Sequence, residues 1–119
     1  MNIEQLRAYC LSKQQVEETQ PFGPENLVYK VGGKVFLITS LDYVEHLTVN
    51  VKCDPDLAIE LRERYACVQP GYHMNKKHWN TVIVDGGLPT QLLKEMIDDS
   101  YQLVVDSLPK KVKEEFNKE

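Results

Sequence analysis

The chain has 119 residues, 42% hydrophobic and 27% charged, with 18 acids against 14 bases. That length suits one domain with one core, and an ordinary apolar content with a net charge of −4 excludes a disordered chain. The longest aliphatic and aromatic run, Val35-Phe36-Leu37-Ile38, falls far short of the roughly 20 residues of a spanning helix, so no membrane partner is expected.

In chain order, Ile3, Leu6 and Cys10 fall on one stripe of a helix over Ile3–Ser12, with Gln5 and Arg7 turned outward. A polar stretch follows and ends in Pro21-Phe22-Gly23-Pro24, which reads as a loop. Leu27–Val31 and Lys34–Thr39 are two short apolar runs separated by Gly32-Gly33. Paired glycines between such runs signal a hairpin, because both turn positions can take positive φ without steric cost. From His46 to Lys52, Leu47, Val49 and Val51 alternate with His46, Thr48, Asn50 and Lys52. Period two with one apolar face describes a sheet covered on one side only, and its polar face must meet water, a ligand or a partner.

Asp54-Pro55 opens a second helix, with the carboxylate as N-cap and Leu57, Ala58, Leu61 and Tyr65 as its stripe. After Pro70-Gly71 the chain reads as strand again, with Val82-Ile83-Val84 ending at Asp85-Gly86-Gly87. From Pro89 onward, Leu92, Leu93, Met96, Ile97, Ser100, Leu103, Val104 and Ser107 form one continuous helical face. Pro109 ends or kinks that helix, and Val112 and Phe116 suggest a short amphipathic one beyond it. The expected order is α-β-β-β-α-β-β-α. It makes one two-layer α+β domain over residues 1–119, a mainly antiparallel five-stranded sheet with helices on one face. Leu6, Val49, Val51, Leu61, Leu93, Ile97 and Val104 are expected in the core, with Thr48 and Asn50 on the open face.

Compartment and chemistry are read from fewer residues. Met1-Asn2-Ile3-Glu4 has neither the basic start nor the apolar stretch of a secretory signal. Cys10, Cys53 and Cys67 are odd in number, with no C-x-x-C spacing. Reduced thiols in a cytoplasmic protein are expected, most simply as small buried hydrophobes. Cys53 stands just before the second helix, where amide dipoles could lower a thiol pKa. No histidine is tied to it by a recognisable motif, and the chain has no G-x-S-x-G, P-loop, dinucleotide fingerprint or H-E-x-x-H. Asp98-Asp99 and Glu17-Glu18 point in different directions on a helix and make poor acid–base pairs. No enzymatic activity, catalytic residue or cofactor is expected.

The densest cluster is Tyr72-His73-Met74-Asn75-Lys76-Lys77-His78-Trp79-Asn80-Thr81. It lies in a window from Glu63 to Asp85 that holds Arg64, Lys76 and Lys77 and no acid between its ends. If Asn75-Lys76 were a two-residue hairpin turn, His73 and His78 would face each other, with Cys67 or His46 as a conceivable third metal ligand. None of the standard zinc spacings is present, and two lysines beside the pair would repel a cation, so no metal is expected. The cluster suits polyanion contact better. Lys76 and Lys77 can reach phosphates, and Trp79 or Tyr72 can offer a face to an unstacked base. The competing readings are a solvated turn for the lysines and a core anchor for Trp79. Lys30 and Lys34 flank the Gly32-Gly33 turn, and Lys52 lies on the polar face of its strand; each reads alone as a solubilising lysine.

Cys53-Asp54-Pro55, Pro70 to Val82 with its His-Met-Asn-Lys-x-His-Trp stretch, Gly87-Leu88-Pro89 and Ser100-Tyr101-Gln102-Leu103-Val104 resemble the MmcQ/YjbR family over nearly the whole chain. The resemblance implies a small α+β domain of frataxin-like and secretion-chaperone-like fold. It also implies a bacterial DNA-binding role, a description that rests partly on likeness to a double-wing domain of a phage transcription factor. Carried onto this chain, it points to Lys76, Lys77, His78 and Trp79, supported by Lys30, Lys34 and Lys52, and brings no catalytic or metal residue. The expectation is a monomer that binds DNA weakly and non-specifically through phosphates. The alternative is a protein- or peptide-binding adaptor, usually dimeric, that uses the open sheet face.

Overall fold

The computed structural model describes residues 1–42, 45–71 and 74–116. Helix α1 spans Ile3–Leu11 and starts from a capping box: the Asn2 side chain accepts the Gln5 N–H at 2.8 Å, and Gln5 accepts the Asn2 N–H at 3.0 Å. Strands β1 (Val16–Thr19), β2 (Asn26–Val31), β3 (Lys34–Ser40) and β4 (Leu47–Lys52) follow. Helix α2 is Pro55–Arg64, β5 is Val68–Pro70, β6 is Trp79–Val84, α3 is Thr90–Ser107 and α4 is Lys110–Phe116. All strand pairs are antiparallel, in the order β1-β2-β3-β4-β6-β5.

The α+β class and antiparallel sheet agree with the sequence reading, but the sheet has six strands rather than five. The unanticipated strand is β1, taken from the sequence as part of a polar stretch. Only Val16 in it is apolar, and its pairing on the outer edge of β2 demands no apolar face. It is reached through Gln15, which sits at φ +59°. That left-handed backbone is normally announced by Gly or Asn.

The β2–β3 hairpin turns at Gly32 and Gly33, at φ +59° and +81°. Gly32 is required a second time by packing, since a Cβ there would lie 2.6 Å from the Leu108 side chain at the end of α3. Asp54 caps α2 by accepting the Leu57 N–H at 3.2 Å. The expected core residues Leu6, Val49, Val51, Leu61, Leu93, Ile97 and Val104 are all buried in one cluster between sheet and helices. Leu57 and Leu103 correct the expected stripes: each remains 36% exposed, on the rim of a shallow groove between α2 and α3.

Register shifts between Tyr29 and Lys30, where β3 carries an extra residue against β2. Phe36 there turns under the sheet to meet the Tyr101 ring edge-on, with centroids 5.4 Å apart. Ser100 of α3 repairs the backbone beside it. Its hydroxyl accepts the Lys52 N–H at 2.8 Å and donates to the Phe36 carbonyl at 2.5 Å, joining β3 to β4 across the helix layer. Among the described residues, no helix is long and apolar enough to cross a membrane.

Candidate nucleic-acid interface

Strand β4 divides the molecule as its alternation predicts: Leu47, Val49 and Val51 are buried, while Thr48, Asn50 and Lys52 are partly exposed on the other face. Successive residues of a strand point to opposite faces, so Lys52 and its register partner Trp79 lie on the open face. Lys30 has the same orientation on β2, opposite Val35 on one side and Glu17 on the other. Lys34 stands at the hairpin turn beside it. Lys76 and Lys77 are exposed on the segment that enters β6 at Trp79.

The antiparallel pairing brings these positions, far apart in sequence, to one end of the sheet. Among the described residues none of the five lysines is in an ion pair. Trp79 is half-buried and outside the helix-covered core, which corrects its reading as a core anchor.

The lysine-bearing segment is held from below by a residue that the sequence reading passed over. Arg62, in the last turn of α2, donates from Nε to the Asn80 side-chain oxygen at 2.7 Å. It also donates from one terminal nitrogen to the Lys76 carbonyl and, at 3.2 Å, to the Trp79 carbonyl. Asn80 is fully buried and donates in turn to the Ala58 carbonyl of α2 at 3.4 Å. Arg62 shares the last turn of α2 with Arg64, and arginines there have an ordinary dipole role in sequence, so only tertiary contact reveals this clamp. Gly71 closes the loop: its N–H donates to the Trp79 carbonyl at 2.9 Å, and a Cβ would lie 2.8 Å from Trp79 Cβ. Its carbonyl accepts from Lys76 Nζ at 3.1 Å. The His78 carbonyl accepts the Cys53 N–H at 2.7 Å, tying the segment to the end of β4.

The two-residue turn at Asn75-Lys76 does not form. The Asn75 carbonyl accepts from both His78 and Trp79 N–H groups, a helix-like turn, and the Asn75 side chain accepts the Lys77 N–H at 3.0 Å. Tyr72 and His73 lie outside the described residues, and with them the imagined pairing of His73 with His78. No three His, Cys, Asp or Glu side chains come together as a metal-ligand group among the described residues.

The thiols follow burial rather than the helix dipole. Cys10, Cys53 and Cys67 are free and buried. Burial, then the charges of Asp54 and Asp99, push Cys53 up to about 11; burial pushes Cys10 up to about 12. A dipole-lowered thiol at Cys53, the alternative that its place before α2 raises, is not what burial produces here. Asp98 and Asp99 do diverge: Asp98 accepts from Tyr9 at 2.7 Å and pairs with Lys13 at 2.5 Å, whereas Asp99 borders the groove by Cys53.

Beside the lysine end, the open face is hollowed into a groove of about 740 Å³. Ile38 of β3, Asn50 of β4 and Thr81 of β6 form its floor, and Phe22 and Met74 reach it from loops. Thr81 donates to the Asn50 side chain at 2.5 Å across the strands.

A family model described as YjbR matches residues 11–103. A protein of Escherichia coli O157:H7 named as uncharacterised protein YbdF is 44% identical over 97 residues, covering 81% of this chain and 78% of that protein. The protein YjbR of Escherichia coli K12, also named as uncharacterised, is 34% identical over 109 residues, 92% of each chain. The crystal structure of Deinococcus radiodurans protein DR2400, of family-model domain DUF419, superposes with a TM-score of 0.92 at 36% identity, over 98% of this chain and 88% of that one. A Pseudomonas syringae crystal structure superposes with a TM-score of 0.76 at 26% identity, over 87% and 99% of the two chains.

Proposed function

The chain belongs to the YjbR family, and from that premise we propose that the lysine end of its open sheet face holds nucleic-acid phosphates weakly, without reading sequence. The observation that carries this reading is the convergence of Lys30, Lys52, Lys76 and Lys77 at one end of the sheet, none in an ion pair among the described residues and next to half-exposed Trp79. Lys34 stands beside them but shares the covered face of its partner Val31. Phosphate contact needs ammonium groups that no carboxylate neutralises, and these lysines meet that need, Lys76 while its Nζ also donates to the Gly71 carbonyl. Lys30 contributes least, because Glu17 faces it across the β1–β2 ladder. Major-groove reading of a duplex has no support here, since none of the described helices presents an Arg, Asn and Gln cluster to a groove.

The role is binding rather than catalysis, by a cytoplasmic monomer. Its non-catalytic part is supported by thiols that are free and buried, with Cys53 pushed up to about 11 and so far from a thiolate nucleophile. The experiment is a fluorescence titration of labelled duplex DNA at several salt concentrations, with Lys76→Ala/Lys77→Ala beside the wild type. Three to five phosphate contacts correspond to a logarithmic salt slope of roughly −3 to −4.5, which the double variant lowers by about two. Absence of binding at low salt, or equal binding by the double variant, removes this reading in favour of a peptide-binding adaptor.

A further inference from the structure

The groove beside the lysine end differs from it in chemistry. Among the described residues no charged side chain lines it, on a chain that is 27% charged. Its interior mixes apolar surface from Ile38 and Met74 with the carboxamides of Asn26, Asn50 and Gln69. Asn50 is engaged by Thr81, but Asn26 and Gln69 make no side-chain hydrogen bond among the described residues. A carboxamide offers a donor and an acceptor on one planar group, the pattern that an unpaired base edge also presents. A phosphate entering this interior would meet no cation among the described residues.

The two regions are adjacent on one surface. Asn50 and Thr81 lie two residues along their strands from Lys52 and Trp79, a separation of about 7 Å. An occupant of both is anionic at the lysine end and neutral, flat and hydrogen-bonding one row further in. Resting on the phosphate reading above, we propose that the groove receives an unstacked base of a single strand whose phosphates lie across the lysine end. Single strands are then preferred to duplex, because paired and stacked bases cannot enter and leave only phosphates to meet this face. Phe22, 68% exposed at the groove rim, supplies a ring on which a base can stack. A peptide could satisfy the carboxamides equally well, but it has no need of the lysines; charge complementarity favours the polyanion.

The test compares labelled single-stranded 15-mers of thymidine and of adenosine with a 15-base-pair duplex, by fluorescence anisotropy at low salt. Phe22→Ala/Gln69→Ala alters two groove side chains outside the helix-covered core without changing charge, and a thermal melt confirms that it folds. The wild type should bind single strands about tenfold more tightly than duplex, and the groove variant should lose most of that advantage while its duplex affinity stays put. Equal affinity for single strand and duplex, or unchanged single-strand binding by the groove variant, overturns the base-in-groove inference and leaves the phosphate reading intact. Failure of every nucleic acid to bind at low salt removes both.

Discussion

The two faces of the sheet are made by the same strands and differ in what their polar groups do. Under the helices each polar group that enters is consumed: Ser100 joins β3 to β4, and Asn80 is held between Arg62 and the Ala58 carbonyl. No buried side-chain nitrogen or oxygen among the described residues lacks a partner. On the open face, the carboxamides of Asn26 and Gln69 and the ammonium of Lys77 have no such partner among the described residues. Buried polar groups must be paired to avoid a desolvation penalty, so those of the covered face serve the fold. Groups facing water carry no such obligation and remain available to a ligand.

The largest test of that contrast sets two isoleucines against each other. Ile97 is fully buried under the sheet, and Ile38 lines the open groove. Ile97→Ala should cost about 2–5 kcal/mol in urea unfolding, the range for a buried large-to-small change. Ile38→Ala should cost about 1 kcal/mol or less, as half-exposed sites do. Equal losses would mean that the open face is as structural as the covered one.

A smaller effect is expected where the two faces are coupled. Arg62→Met preserves the length of the side chain but removes every donor to Asn80, Lys76 and Trp79. Leaving buried Asn80 short of a partner should cost about 1–3 kcal/mol. Amide hydrogen exchange at His78 and Trp79 should quicken, and DNA affinity should fall although every lysine is retained. Unchanged exchange would show that Arg62 does not hold the loop.

The smallest effect lies on the β1 edge. Glu18 receives two hydrogen bonds from Arg7, at 3.0 and 3.1 Å, and one from Tyr29 at 2.7 Å. Chiefly through Arg7, and against burial, its carboxyl is held below its ordinary value of 4.5. The unfolded chain therefore takes up this proton first as pH falls. The contribution is complete above pH 4.5 and is lost as pH drops through the lower folded value. With Arg7 half open to water, it should be under about 1 kcal/mol. Glu18→Gln should flatten the melting temperature against pH over that interval; an unchanged acid limb would show that other carboxylates dominate it.

Much of this architecture was legible in local pattern. Period-two alternation from Leu47 to Lys52 fixes which side of β4 is buried, because a one-residue slip would invert every side chain. Gly32-Gly33 marks a turn that needs two positive φ values, and Asp54-Pro55 marks a helix start. Strand β1 was hidden because it offers one apolar residue, Val16, and its Glu18 bonds to Arg7 and Tyr29 join distant segments, so no local period marks it as a strand. The candidate site was half legible. The lysines and Trp79 could be named from the sequence, but not their common end of the sheet.

Hydrophobic periodicity by itself determined the helices, the central strands and the core they enclose, since burial of one face is a local constraint written every second or fourth residue. Tertiary structure alone decided the rest. Antiparallel register carried Lys30, Lys52 and Trp79 to one end, and burial near two aspartates turned the Cys53 thiol away from reactivity. Arg62 became the clamp of a loop that begins seven residues after its own helix ends. Such effects depend on which distant residues meet across the sheet, and no local period encodes that.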